Sequence, residues 1–124
     1  MFADTKAYSG IAVTDMAQAR AFYAGTLGLR TSEEYGLMWL HLAGRRDTLV
    51  YEQPSAVPAS YTVLNFEVDD IDAAVHELGA RGVRFTRVEG LAQDDAGVFR
   101  DDGPYIAWFT DPSGNVLSVL QEKS

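Results

Sequence analysis

Chemistry in this chain rests on few side chains, because it holds two histidines and no cysteine. His41 shares a strand face with Trp39, opposite Met38, Leu40 and Leu42. An imidazole there can act as acid or base, with a rim or interface histidine as the competing reading. Glu52, at the end of a short apolar run, is the carboxylate that could share acid–base work with it. His76 sits beside Glu77, off the apolar stripe of its helix, and reads as solvent-facing. Tyr8, Trp39, Tyr51, Tyr105 and Trp108 supply rings with polar edges, which suit a pocket for a flat, partly apolar ligand. Core packing competes for each ring and is favoured for Trp108. Without cysteine there is no disulfide, thiolate nucleophile or thiolate-held metal. No GxSxG, phosphate loop, dinucleotide fingerprint or Ser/His/Asp grouping is legible, and Gly79-Ala80-Arg81-Gly82 reads as a helix stop.

The elements that must position these residues are written twice. Val13 to Arg20 leaves an alternating apolar run and enters a helix; Val68 to Val75 does the same, with Asp15 matching Asp70 at an offset of 55. Each aspartate reads as an N-cap whose carboxylate meets the orphan amides of the first turn. Met16, Ala19, Phe22 and Tyr23 form the first apolar stripe; Ile71, Ala74, Val75, Leu78 and Gly79 form the second. Strands are expected at Ala7–Thr14, Leu29–Glu34, Leu37–Leu42 and Thr48–Glu52, with turns at Tyr35-Gly36 and at 44–47. The second set is Tyr61–Val68, Val83–Val88, Tyr105–Thr110 and Val116–Gln121. Residues 53–60, with two prolines and no charge, read as a linker between a first module at about 6–52 and a second at about 61–121. The segment 89–103, with five acids and one arginine, is long for a compact domain and reads as a loosely held lid over the second module, with a solvated insertion that contacts nothing as the alternative.

A chain of 124 residues suits a single domain, and 47% hydrophobic residues is a globular composition. No run is long and apolar enough to span a bilayer, and the N-terminus lacks the layout of a signal peptide, so a cytoplasmic protein is expected. The net charge of −8 divides unevenly: six acids against five bases in residues 1–60, twelve against five in 61–124. Such a surface repels phosphate backbones and anionic lipid, which argues against nucleic-acid and membrane roles; it would favour a cationic ligand, but a solvated acidic surface that aids solubility is the favoured reading.

Val13-x-Asp15-Met16, Phe22-Tyr23 and Leu27-Gly28-Leu29 resemble the first half of a vicinal oxygen chelate protein. That superfamily includes glyoxalase I, extradiol dioxygenases and bleomycin-resistance proteins. Phe66-Glu67-Val68-Asp69-Asp70-Ile71-Asp72-Ala73 and the turn Phe109-Thr110-Asp111-Pro112-Ser113-Gly114-Asn115 resemble its second half. The resemblance spans about Lys6 to Gln121. It implies an α+β fold of two βαβββ modules whose curled sheets form a cup, and a homodimer. It also implies metal ligands at Tyr8 and Val63 on the leading strands and at Val50 and Ser118 on the closing ones. None of these is a histidine or carboxylate, and a shift of one residue offers only Glu52, Asn65 or Glu67. No metal and no cofactor are therefore expected. The candidate ligand contacts are Tyr8, Trp39, His41, Tyr51, Val63, Asn65, Tyr105 and Ser118, with His41 and Glu52 as the candidate catalytic pair. The expected role is capture of a partly aromatic or cationic small molecule; a lyase, isomerase or dioxygenase with a non-standard site is the alternative.

Overall fold

The computed structural model describes residues 1–123, which divide into two compact units, Met1–Val57 and Pro58 onward. The division falls inside the expected linker.

The first unit holds β1 (Ser9–Val13), α1 (Met16–Arg20), β2 (Arg30–Glu34), β3 (Leu37–His41) and β4 (Thr48–Glu52). The sheet order is β1-β4-β3-β2, with β1 parallel to β4 and the other pairs antiparallel. Strand alternation sorts the side chains: Ile11, Val13, Met38, Leu40 and Val50 are buried on one face, with Met16, Ala19 and Tyr23 contributed by the helical segment. That segment differs from a uniform α-helix. Ala21–Thr26 widens into a π-helical turn, in which the Leu27 amide donates to the Phe22 carbonyl at 2.9 Å. The widened turn buries Tyr23 fully and leaves Phe22 part-exposed. Tyr35 and Gly36, both at positive φ (54° and 76°), make the two-residue hairpin that locks the β2–β3 register.

The second unit holds β5 (Thr62–Glu67), α2 (Ile71–Ala80), β6 (Tyr105–Thr110) and β7 (Val116–Gln121), with sheet order β5-β7-β6. Its buried face carries Ala107, Phe109, Leu117 and Val119, with Ile71 and Val75 from α2; Gly79, expected on that stripe, is exposed. The strand expected at 83–88 does not form a ladder. A single bond, from the Thr86 amide to the Trp108 carbonyl at 2.7 Å, ties it to the edge of β6. The rest of that edge is taken by Phe99, which exchanges both backbone hydrogen bonds with Ile106.

The lid expectation also needs correction. Residues 93–99 form a small hairpin, closed by Asp94 N–H to the Val98 carbonyl (2.9 Å) and Gly97 N–H to the Asp94 carbonyl (2.9 Å). The Asp94 carboxylate accepts from the Ala96 and Val98 amides, and the Gln93 side chain bonds Val88, Thr86 and Gly97. Arg87 donates to the Asp94 and Asp95 carbonyls. Val98 is buried, and a Cβ at Gly97 would come within 3.0 Å of Phe85 Cβ. Backbone donors neutralise what looked in sequence like repulsion between neighbouring aspartates, so the centre of this segment is tethered.

Both helices start alike. Asp15 and Asp70 accept from the amides of Gln18 (3.0 Å) and Ala73 (3.1 Å). The first helical amides, of Met16 and Ile71, donate to Glu52 Oε2 and Gln121 Oε1, each at 2.8 Å. The closing strand of each unit therefore reaches back to cap its own helix. The turn at 111–115 is held by the buried Asp111 carboxylate, which accepts from the Ser113 and Asn115 amides and from Asn115 Nδ2, all at 2.9 Å.

Candidate functional site

In the first unit, the face of the sheet opposite the buried core carries Tyr8, Trp39, His41 and Tyr51 together. Register explains this: Trp39 pairs with Leu49 and with Ser32, Ala12 pairs with Tyr51, and Arg30 pairs with His41. The Tyr8 and Trp39 rings meet edge-to-face at 4.7 Å, while Tyr8 keeps 64% of its surface exposed. Gly10 leaves the Tyr51 ring room, since a Cβ there would lie 3.5 Å from Tyr51 Cε1. The outcome is a shelf of three rings, two of them edge-on, open on one side.

His41 is not alone at the end of this shelf. Its Nε2 lies 2.7 Å from Ser32 Oγ, and its Nδ1 lies 3.1 Å from Asp47 Oδ1. No such grouping is apparent from spacing alone, because Ser32 and Asp47 sit in different segments on either side of His41. One signal could have found half of it. A two-residue turn at Tyr35-Gly36 sets Ser32 opposite Trp39, which makes Ser32 and His41 diagonal neighbours on one face. Glu52, the other catalytic candidate, is elsewhere: its carboxylate caps α1 and is not paired with His41.

The second unit presents a different surface. Asn65, Glu67, Trp108 and Ser118 share the face opposite its core, and Ser118 Oγ donates to Asn65 Oδ1 at 2.7 Å. Trp108 is the Cα partner of Ser118, so this ring, assigned to the core from sequence, belongs to the same face as Asn65. Tyr105 does not. Odd and even positions of β6 point oppositely, and Tyr105 instead receives the Arg100 guanidinium at 5.0 Å and the Lys123 ammonium at 5.1 Å. Val63 falls at a register shift between Thr62 and Leu64, where β5 carries one residue more than β7.

Register also corrects the matching of closing-strand positions. Gly10 pairs with Leu49 as Asn65 pairs with Ser118, so Ser118 corresponds to Leu49. Val50 corresponds to Val119, and both are buried. A slip of one residue moves a position to the other face. On the faces opposite the cores, β1 and β4 offer Gly10, Ala12, Leu49 and Tyr51; β5 and β7 offer Asn65, Glu67, Leu120 and the fully buried Ser118. The first unit's four residues supply only the Tyr51 phenol, and the second unit's supply one carboxylate and two weak neutral oxygens; each is a poor donor set for a divalent ion. Among the described residues no three His, Asp or Glu side chains converge. The metal chemistry that the fold resemblance implies does not fit these side chains.

No helix among the described residues is long and apolar enough to cross a membrane. Solved structures similar to this chain include a glyoxalase family protein from Bacillus anthracis, 20% identical with a TM-score of 0.73, covering 99% of this chain and 100% of that one. TnmS3, an antibiotic binding protein from Streptomyces sp. CB03234, is 22% identical with a TM-score of 0.70, covering 97% and 98%. The fosfomycin resistance protein FosX of Listeria monocytogenes is 14% identical with a TM-score of 0.72, covering 97% and 94%. At these identities the likeness speaks for the fold. No curated protein matches the chain significantly. The model of the glyoxalase/bleomycin resistance protein/dioxygenase superfamily matches residues 6–119, and with the paired strand–helix–strand units described above it makes this chain a member of that superfamily.

Proposed function

We propose that this protein is a metal-free small-molecule binder, a single-domain homodimer of the cytoplasm that sequesters a partly aromatic compound. The observation that carries the reading is the open ring shelf of Tyr8, Trp39 and Tyr51, with Tyr8 two-thirds exposed and edge-on to Trp39. An exposed aromatic pair costs solubility unless something stacks on it, and planar ligands are the occupants that edge-and-face geometry suits. The antibiotic-binding role of TnmS3, a protein of the same fold, supports the same reading. A net charge of −8 favours cationic members of that ligand class. Open sheet edges at β2 and β5 support the homodimer, since edges are ordinarily covered by a partner.

Thermal unfolding with planar aromatic compounds, with and without a cationic group, tests this. A ligand at a hundred times its dissociation constant adds about 2.7 kcal/mol of stability. A panel that shifts neither the melting temperature nor the tryptophan emission would end the binding reading. A second reading, an enzyme with a non-standard site, is favoured by one observation: the hydrogen-bonded sequence Ser32, His41, Asp47.

A further inference from the structure

We propose that Ser32, His41 and Asp47 form a nucleophilic relay that accepts the acyl group of aryl esters and passes it to water. It rests on the binding reading above for how the aryl group docks. The proton positions follow from the partners. An ionised carboxylate only accepts, so the His41 nitrogen facing Asp47 at 3.1 Å, Nδ1, must carry the hydrogen. Nε2 of the neutral ring is then an acceptor, and the Ser32 hydroxyl at 2.7 Å donates to it. That is the arrangement in which a base takes the proton of a serine nucleophile while a carboxylate holds the base in the right tautomer.

The surroundings select the substrate. Ser32 stands opposite Trp39 across β2 and β3, and opposite residues of an antiparallel pair have Cβ atoms about 5 Å apart. An aromatic ring seated against Trp39 and Tyr8 therefore brings an attached carbonyl to the Ser32 hydroxyl. Arg30, the Cα partner of His41, lies on the same face and offers a cation to the developing oxyanion. His41 and Asp47 keep 39% and 48% of their side-chain surface exposed. Water weakens electrostatic stabilisation at such a site, so the relay suits esters with good leaving groups and not amides.

In the first step Ser32 Oγ bonds to the carbonyl carbon and its proton moves to His41 Nε2. The bond to the aryl oxygen breaks, and the departing oxygen takes that proton as a phenol. In the second step water attacks the acylated serine, His41 removes a water proton, and that proton returns to Ser32 Oγ as the carboxylic acid leaves. Ester and water become acid and phenol, with no other reactant. Ser32 and His41 are the catalytic residues; Asp47 is a positioning residue.

The test uses the full chain and p-nitrophenyl acetate. The expected result is an initial burst of p-nitrophenolate with one acetyl group on the peptide bearing Ser32. Ser32→Ala should lower the single-turnover rate about 100-fold. Asp47→Asn should lower kcat with KM held. A Ser32→Ala rate equal to the parent's, or acetyl groups only on lysines or on His41, overturns the relay. Quenching of tryptophan emission by the unreactive anilide analogue, lost in Trp39→Phe, reads docking separately. Quenching without acylation overturns the relay and keeps the binder; acylation of Ser32 without quenching does the reverse.

Discussion

The two units agree where the backbone needs partners and differ where side chains meet solvent. Each helix begins with an aspartate cap and a second cap from its own closing strand, and those second caps have the same length, 2.8 Å, from Glu52 and from Gln121. The faces opposite the two cores share almost nothing. The first unit offers rings and an imidazole relay, and the second offers an Asn65–Ser118 pair beside Trp108, with Ser118 fully buried. Orphan amides impose the same demand on any copy of the fold, so their solution repeats. Nothing in the backbone dictates what such a face carries, so the faces are free to diverge.

The largest test of this contrast concerns the turns before the closing strands. Asp111 is buried and accepts three hydrogen bonds. Asp111→Ala should cost about 3 kcal/mol in urea unfolding, since it strands buried donors. Asp47, before the closing strand of the first unit, is half exposed, and Asp47→Ala should cost no more than about 0.5 kcal/mol. Equal losses would show that both turns are structural and would remove the reason to read Asp47 functionally.

Ring removal comes next. Trp39→Ala should weaken a planar aromatic ligand by about 1.5 kcal/mol, roughly tenfold, in a fluorescence or calorimetric titration. An unchanged affinity would move the ligand off the first unit's shelf and toward Trp108.

The helix caps should respond alike and more modestly. Glu52→Ala and Gln121→Ala should each destabilise by about 1 kcal/mol. Added salt should shrink the Glu52 effect but not the Gln121 effect, because only the carboxylate interacts with the helix dipole as a charge. A Glu52 variant that folds normally yet loses ester turnover would instead return Glu52 to the chemistry.

The smallest effect is local and pH-dependent. Burial pushes the Asp94 carboxyl up, but the Val98 and Ala96 amides and the Arg100 guanidinium outweigh it and hold the group below its ordinary value of 3.8. A carboxyl depressed in the fold contributes its stability above the ordinary value and loses it as pH falls through the folded one. Amide exchange at Val98 should therefore speed up below about pH 4 in the parent, and Asp94→Asn should remove that step. A parent hairpin with no acid-dependent step would restore the loosely held lid.

The paired helices, their aspartate caps and all seven strands were legible in the sequence because each is a local demand: periodicity selects the element and an acceptor must meet the first amides. The turn at Asp111 was legible for the same reason. Val83–Val88 misled, because a strand needs a neighbour and the edge of β6 went mostly to Phe99, a competitor distant in sequence. The site divides in the same way. That Tyr8, Trp39, His41 and Tyr51 share a face follows from strand alternation plus one parallel and two antiparallel registers, of which sequence supplies only the alternation. Trp108 lies on the face opposite the core and Tyr105 on the other face of β6, because composition cannot tell which face of that strand meets α2. The turn at Tyr35-Gly36 signals only that Ser32 and His41 are neighbours; their meeting with Asp47 was decided by tertiary structure. A hydrogen-bonded relay needs two consecutive hydrogen bonds of about 3 Å, one on each ring nitrogen, and only the fold of a hairpin and the turn after it brings residues 32, 41 and 47 that close.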